Sequence, residues 1–291
     1  MPYFNKDILP IVTLLTLFSC LSHSQSLNKN KVQDKEEVLT IAVASNFLTT
    51  AKKLKTIFEK QSNDKLKVIS GSTGQLSHQI INGAPFDVFL SANKEHPELI
   101  KYTFNLADSD FFQYAQGSLV LITRLPLTTL PSTGKNISDL LSGKSSLGQL
   151  SSEIQNDVIT QVVLNSGKLA LANAKLAPYG RAAEDTLKNL KIYKQSRNKI
   201  IKGQNITQAY QFFTSGNVDT AFIAKSQWLS SSVQVKESNK GRIDIDTSLY
   251  QPIEQWAVVI NNSAASNAFK SFMLHPDTQA ILKQDGYGSP L

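Results

Sequence analysis

Four short segments carry neutral polar residues and glycine of the kind that can bind an anion. They are Ser45-Asn46, Ser72-Thr73-Gly74, Pro178-Tyr179-Gly180 and Asn205-Ile206-Thr207. Serine, threonine and asparagine are preferred at helix N-caps, and the first N–H groups of a helix favour negative charge. Each segment by itself is an ordinary helix cap. Brought together by the fold, the four would form an anion site.

Residues that could support metal or hydrolytic chemistry are sparse. The chain has four histidines: His23, His78, His96 and His275. No His-Glu-x-x-His motif, Cys/His cluster or Asp-rich metal loop accompanies them. Ser70-Gly71-Ser72-Thr73-Gly74 lacks both the glycine two positions before Ser72 that a nucleophile elbow needs and the ending of a Walker A loop. We expect no enzyme, metal cation or cofactor, and an exported α/β hydrolase using Ser72 or Ser45 is the enzymatic alternative.

Alternating strands and helices place the polar segments near strand ends. Val38 to Ala44 is almost continuously apolar, as in a parallel strand buried on both faces. Phe47, Ala51, Leu54 and Phe58 then form one stripe of a helix. Further strands are predicted at 65–69, 87–90, 118–123, 169–172, 220–223 and 256–260, and further helices at 75–81, from 180, 207–214, 264–273 and 278–283. This order predicts doubly wound α/β lobes, whose ligands lie beyond the carboxyl ends of the strands.

The domain organisation follows from length and composition. At 291 residues, 41% hydrophobic and 18% charged, the chain suits two globular lobes. We expect a signal peptide at 1–24 and a flexible leader at 25–37. The first lobe is expected at 38–120 with 252–291, and the second at 121–251.

The single cysteine lies at the end of the short apolar run from Ile8 to Phe18, which is too short to span a bilayer. The run is typical of a secretory signal, so we expect export to the periplasm. Leu17-Phe18-Ser19-Cys20 resembles a bacterial lipobox, although Phe18 is bulkier than usual. Cys20 is therefore either a lipid anchor or part of a discarded signal peptide.

A formal net charge of +7 permits partners that are nucleic acids, anionic surfaces or anionic solutes. The lysines are scattered, without a basic block or interleaved aromatic residues. We therefore expect no nucleic-acid partner, and the diffuse positive field favours a small anion.

Several longer strings resemble the molybdate-binding periplasmic proteins, in the order found in that family. The matching strings are Ala44-Ser45-Asn46-Phe47, Ser70-Gly71-Ser72-Thr73-Gly74, residues 82–92 (NGAPFDVFLSA), residues 176–184 (LAPYGRAAE), residues 203–209 (GQNITQA), residues 215–219 (SGNVD) and Pro252-Ile253-Glu254-Gln255. Asn-Gly-Ala-Pro and Ala-Pro-Tyr-Gly are the most specific of them.

This resemblance implies a type II periplasmic binding protein with two lobes, a hinge and a ligand cleft between them. It implies binding of molybdate or tungstate and delivery to an inner-membrane ABC permease and its ATPase, by a monomer. The implied ligand shell is Ser45, Asn46, Thr73 and the main-chain N–H groups of Tyr179 and Ile206. Ala224 stands where some relatives have a ligand tyrosine, which implies the branch that uses Asn46. Residues 142–168 are longer than the usual family connection.

Every implied contact is a neutral donor, which favours a fully ionised oxyanion. Hydrogen phosphate would bury an unpaired O–H and should be rejected. Sulfate differs from molybdate mainly in size, so a binding protein for sulfate or another small anion remains the alternative.

Lipidation at Cys20 is tested by expressing the full-length chain and its Cys20→Ser variant in a bacterium. A lipoprotein gains a diacylglycerol mass and fractionates with membranes, and the variant loses both. Mass spectrometry and fractionation decide the matter, and identical soluble products beginning near Gln25 would contradict lipidation.

Overall fold

The structure is a computed structural model that describes residues 37–127, 131–132, 135–136, 151–232 and 241–290. The expected signal peptide, Cys20, the leader up to residue 36 and residues 142–150 lie outside this part of the chain. Its strands are β1 Val38–Ala44, β2 Lys65–Gly71, β3 Val88–Leu90, β4 Phe111–Gly117, β5 Leu119–Thr123, β6 Pro131–Ser132, β7 Lys135–Asn136, β8 Leu169–Ala172, β9 Ile200–Gly203, β10 Thr220–Ala224, β11 Gly241–Asp244 and β12 Ile253–Val259. Its helices are α1 Leu48–Gln61, α2 Thr73–Ile81, α3 Glu95–Thr103, α4 Ser152–Asn165, α5 Pro178–Asn189, α6 Tyr193–Ser196, α7 Ile206–Thr214, α8 Lys225–Leu229, α9 Ala264–Leu274 and α10 Pro276–Gln284. None of the described helices is long and apolar enough to cross a membrane.

Two five-stranded sheets form the centres of two lobes, as the predicted α/β fold requires. The first sheet has the order β2-β1-β3-β12-β4, and the second has the order β11-β5-β10-β8-β9. In each sheet three neighbouring strands run parallel, and the other two pairings are antiparallel. The chain passes to the second sheet after β4 and returns to the first with β12. Two segments therefore connect the lobes.

Strand β1 is an interior strand of the first sheet and lies between β2 and β3. Leu39, Ile41 and Val43 pack on one face of the sheet, whereas Ala42 packs on the other. This burial on both faces confirms the central parallel strand predicted from the apolar run. The predicted helical stripe is also buried, from Phe47 in a 3-10 turn through Phe58 in α1. Strand β1 therefore ends firmly held just before Ser45.

Helix α4 explains most of the long connection expected at 142–168. Val158, Ile159, Val162 and Val163 are fully buried in the hydrophobic core of the second lobe. Ser151 caps the helix, since its side chain accepts a hydrogen bond from Ile154 N. The described part of this connection is thus an integral layer of the lobe.

The expected lobe boundary at residue 120 is wrong by two residues. Leu119 and Val120, which we expected in the first lobe, pair with Ala224 and Ile223 of β10 in the second sheet. The ladder of hydrogen bonds to β10 and β11 places β5 in the second sheet. The apolar pattern of β5 shows that the strand is buried but does not show which strands it pairs with. The crossing therefore lies at Ser118.

A glycine allows α5 to begin directly against β8. A Cβ on Gly180 would lie 2.3 Å from the carbonyl oxygen of Ala172, which is far closer than atoms can approach. Only glycine permits this contact between helix and strand. The close approach fixes the position of Tyr179, the preceding residue, at the edge of the second sheet.

Candidate functional site

All five predicted site residues line one small cavity between the lobes. It is lined by Ala44, Ser45, Asn46, Ser72, Thr73, Ala92, Ala177, Pro178, Tyr179 and Ile206. Residues up to Ala92 belong to the first lobe and the others to the second. Each of the five predicted residues is at most 7% exposed. A ligand held here would touch both lobes.

Three helices start at the wall of this cavity. Thr73 is the first residue of α2, Tyr179 the second of α5 and Ile206 the first of α7. Main-chain N–H groups in the first turn of a helix have no acceptor within that helix. The side chains of Ser72 and Asn205 accept from Gln75 N and Gln208 N, which leaves the N–H groups of these three residues unused by the caps. Together with the helix dipoles they favour an anion.

Two hydroxyls add donors from the first lobe. Thr73 Oγ1 accepts a hydrogen bond from Ala92 N at 3.2 Å, so its proton remains for another acceptor. Ser45 Oγ makes no hydrogen bond to another residue in the described ranges, and Ser45 follows β1 directly. Ser72 differs, because its hydroxyl donates to Gln75 Oε1 at 2.8 Å. Ser45 and Thr73 are thus the two side chains that can donate into the cavity.

The Asn46 side chain is already engaged behind the cavity wall. Its Nδ2 donates to Gln255 Oε1 at 3.1 Å and to the Tyr287 hydroxyl at 3.4 Å. The Tyr287 hydroxyl donates back to Asn46 O at 2.9 Å. Both N–H bonds of the amide are consumed, so the donor that Asn46 can offer to a ligand is its main-chain N–H. The side chain instead holds the loop in place.

Sequence reasoning did not assign a role to Gln255, Tyr287 or Tyr114, which form this buried network. Tyr114 occupies an irregularity in the pairing of β4 with β12, and its hydroxyl lies 3.2 Å from Gln255 Oε1. A bulge of this kind re-aims a side chain. Gln255 belongs to a string that carries the family resemblance, which was the one signal available. No sequence signal indicated a role for Tyr287, because its partner Asn46 is 241 residues away in the chain.

No charged side chain lines the cavity. Burial raises the pKa values of the Tyr114, Tyr179 and Tyr287 hydroxyls above their ordinary value, so these groups stay neutral. Burial also lowers the pKa of the nearby His96 imidazole. Within the described residues, no group of three or more His, Cys, Asp or Glu could hold a metal ion. The cavity offers N–H and O–H donors without a carboxylate to accept a proton.

Direct contacts between the lobes surround the cavity. Hydrogen bonds that cross from one lobe to the other include Gly74 N to Leu176 O (2.9 Å), Thr207 Oγ1 to Ser45 O (3.0 Å), Ser226 Oγ to Asn46 O (3.2 Å), Gln75 Nε2 to Gln204 Oε1 (3.2 Å) and Arg181 Nη1 to Glu95 Oε1 (3.0 Å). The first three are formed by groups at the cavity wall or next to it. The cleft is therefore closed in this structure.

Comparison with known families agrees with this architecture. A model of the family described as bacterial extracellular solute-binding proteins matches residues 39–288, which is most of the chain. The chain belongs to this family. In a solute-binding protein, donors from two lobes around one closed cavity form a ligand site. Membership supports a solute-binding role for the chain.

Similar proteins include two that are named for an oxyanion. The molybdate-binding protein ModA of Azotobacter vinelandii is 31% identical over 251 residues, which are 85% of this chain and 88% of that protein. ModA of Rhodobacter capsulatus is 30% identical over 250 residues, covering 84% and 86% of the two chains. The solved structure of the Azotobacter vinelandii periplasmic molybdate-binding protein matches with a TM-score of 0.69 at 29% identity, over 87% of this solute-binding protein and all of that chain.

Asn46→Asp should destabilise the ligand-free protein, because a carboxylate cannot donate to Gln255 Oε1. Burial would raise the pKa of the introduced carboxyl, and its ionised form would lower the free energy of unfolding by about 1 to 3 kcal/mol, the cost of a buried polar group without its partner. Below about pH 4, the pKa of the carboxyl in the unfolded state, the carboxyl is protonated in both states and its ionisation does not change the free energy of unfolding. As the pH rises from there towards the higher pKa of the folded state, the free energy of unfolding falls progressively. Urea unfolding at about pH 4 and pH 8 measures this effect.

Asn217→Asp is the matched control, since Asn217 is exposed and its side chain donates to the nearby Ser215 hydroxyl. The control should cost less than about 0.5 kcal/mol at both pH values. An Asn46→Asp protein as stable as the control at pH 8 would show that the buried amide network does not hold the loop.

Proposed function

We propose that the protein captures molybdate or tungstate between its lobes and delivers the oxyanion to an ABC importer. The observation that carries this proposal is a closed cavity lined by neutral donors from both lobes. A dianion in such a cavity is stabilised by many charge-assisted hydrogen bonds, each contributing roughly 1.5 to 3 kcal/mol. The similarity to two molybdate-binding ModA proteins over most of the chain supports this choice of anion.

The proposed ligand shell has five donor groups from two segments of the first lobe and two donor groups from the second lobe. Ser45 and Thr73 each contribute a hydroxyl and an N–H group, and Asn46 contributes its N–H group. Tyr179 and Ile206 contribute main-chain N–H groups from the starts of α5 and α7. Because the donors belong to different lobes, only the closed form engages all of them, and the anion stabilises that form.

Charge and size would select the anion. Hydrogen phosphate carries a proton that needs an acceptor, and the cavity wall contains no carboxylate. Sulfate is fully ionised like molybdate and differs in size, so a sulfate-binding protein is the second candidate. No cofactor is needed for either role.

Location and partners follow from the same proposal. We place the protein in the periplasm, exported by the apolar segment at its start and anchored there if Cys20 is lipidated. Its macromolecular partners would be the inner-membrane permease and the ATPase of the importer, and we propose that it acts as a monomer without nucleic acid. The solved relative that is described as periplasmic supports this location.

Calorimetric titration with molybdate, tungstate, sulfate and phosphate tests the function. We expect tight binding of molybdate and tungstate, weak binding of sulfate and none of phosphate. Affinity for molybdate should be nearly constant from about pH 6 to about pH 9, because burial keeps His96 and the three tyrosines uncharged over most of that range. Equal affinity for sulfate would favour the second candidate. A tenfold change across this range would place a titrating group in the shell.

Ile206→Pro tests the main-chain donors. Proline removes the N–H group and is favoured at the first position of a helix, and the extended backbone of Asn205 suits a following proline. Binding should weaken by at least about 1.5 kcal/mol, roughly tenfold, which is the contribution of one charge-assisted hydrogen bond. Thr73→Ala should have a similar effect by removing a hydroxyl.

Ile206→Val is the control, because it keeps the N–H group and should bind like the parent. Circular dichroism and thermal melts confirm that each variant is folded. A folded Ile206→Pro protein with parental affinity would contradict the assignment of the Ile206 N–H group as a ligand donor.

A further inference from the structure

Two hydroxyls of the second lobe bind two consecutive carbonyls of the first lobe. Thr207, in the first turn of α7, donates to Ser45 O at 3.0 Å, and Ser226 of α8 donates to Asn46 O at 3.2 Å. Neither hydroxyl lines the cavity. Both bind the loop that contributes Ser45 and Asn46 to the cavity wall, which places them directly behind the site.

The hydroxyl of Thr207 is oriented by its own partner. Gln227 Nε2 donates to Thr207 Oγ1 at 3.3 Å, while Gln227 Oε1 accepts from Ala224 N at 3.0 Å. With its lone pair engaged, the Thr207 hydroxyl directs its proton to Ser45 O. Ser226 is similarly constrained, since its Oγ also lies 3.0 Å from the buried Tyr287 hydroxyl. The contacts of Gln227 lie within the second lobe, whereas the contact of Ser226 with Tyr287 joins the two lobes.

The bond from Thr207 also affects the donor strength of the cavity wall. The carbonyl of Ser45 and the N–H group of Asn46 belong to the same peptide unit. A hydrogen bond accepted by the carbonyl polarises that unit and strengthens its N–H group as a donor. Closure and anion binding therefore reinforce each other through one peptide group.

We propose that Thr207 and Ser226, here called the hydroxyl latch, are positioning residues that hold the cleft closed over the anion without touching it. This inference rests on the proposed oxyanion-binding function. Apparent affinity depends on the population of the binding-competent closed form, and the latch raises that population. Its loss should speed release of the anion, while the initial encounter with the open form stays unchanged.

The test compares Thr207→Val and Ser226→Ala with the parent full-length protein, using molybdate as the probe. Thr207→Val keeps the shape of the side chain and removes the hydroxyl. Each variant should bind molybdate about five- to tenfold more weakly, the contribution of one neutral hydrogen bond, through faster dissociation with little change in the association rate. Stopped-flow kinetics and calorimetry measure the two rates and the affinity.

Two further variants separate the latch from a general effect on folding. Thr207→Ser retains the hydroxyl and should restore affinity to within about twofold of the parent. Thr214→Val lies on the exposed end of the same helix, where its hydroxyl bonds to Gln211 O, and should bind like the parent. The melting temperature of the ligand-free latch variants should fall by less than about 2 °C, because the open form remains folded.

Parental affinity in both latch variants would overturn the proposal, as would a loss of affinity matched by a large fall in ligand-free melting temperature. If the parent binds none of the four anions, the proposed function fails on its own. In that case the latch is tested by small-angle X-ray scattering, which compares how far the lobes are open in the ligand-free parent and variants. Variants that are more open than the parent support it, and identical scattering profiles overturn it.

Discussion

Main-chain N–H groups without acceptors meet at one buried cavity, and much of the structure around it serves to keep them there. Helices α2, α5 and α7 each direct a first turn to this point, and the turn after β1 supplies a further loop. Buried donors are costly when they lack partners. An anion satisfies all of them at once, so occupation of the cavity and closure of the lobes are favoured together.

Neutrality is the second property of the site. The surrounding side chains are hydroxyls, amides and apolar groups, and charged residues such as the Glu95–Arg181 pair lie at the cleft margin, where they are largely exposed. Fixed dipoles can stabilise a dianion without presenting a counter-charge that would bind it regardless of shape. The solute can therefore be recognised by charge state and size.

The loop at Ser45 and Asn46 connects the cavity to the rest of the protein. On one side its amide side chain is held by the Gln255, Tyr287 and Tyr114 network of the first lobe. On the other side its carbonyls are bound by Thr207 and Ser226 of the second lobe. A shift of this loop would disturb the donors, the buried network and the closure contacts at the same time.

The sequence by itself determined the features that depend on local pattern. The apolar run of β1, the stripe of α1 and the cap residues of α2 and α7 predicted where helices begin and which polar residues lie there. The resemblance to a known family then selected Ser45, Asn46, Thr73, Tyr179 and Ile206, and the structure brings these five to one cavity.

Only the tertiary structure decided how Asn46 is used, where the chain crosses between the sheets and which hydroxyls close the cleft. The hydrogen-bond partners of the Asn46 side chain and of the two hydroxyls are 162 to 241 residues away in the chain. Helix and strand periodicity describes which face of a segment is buried and says nothing about which distant segment covers it. Strand β5 could pair in either sheet on its apolar pattern, and the ladder to β10 places it in the second lobe. Pairing between distant segments is a property of the packed molecule, because it is selected by the total burial and hydrogen bonding of both lobes.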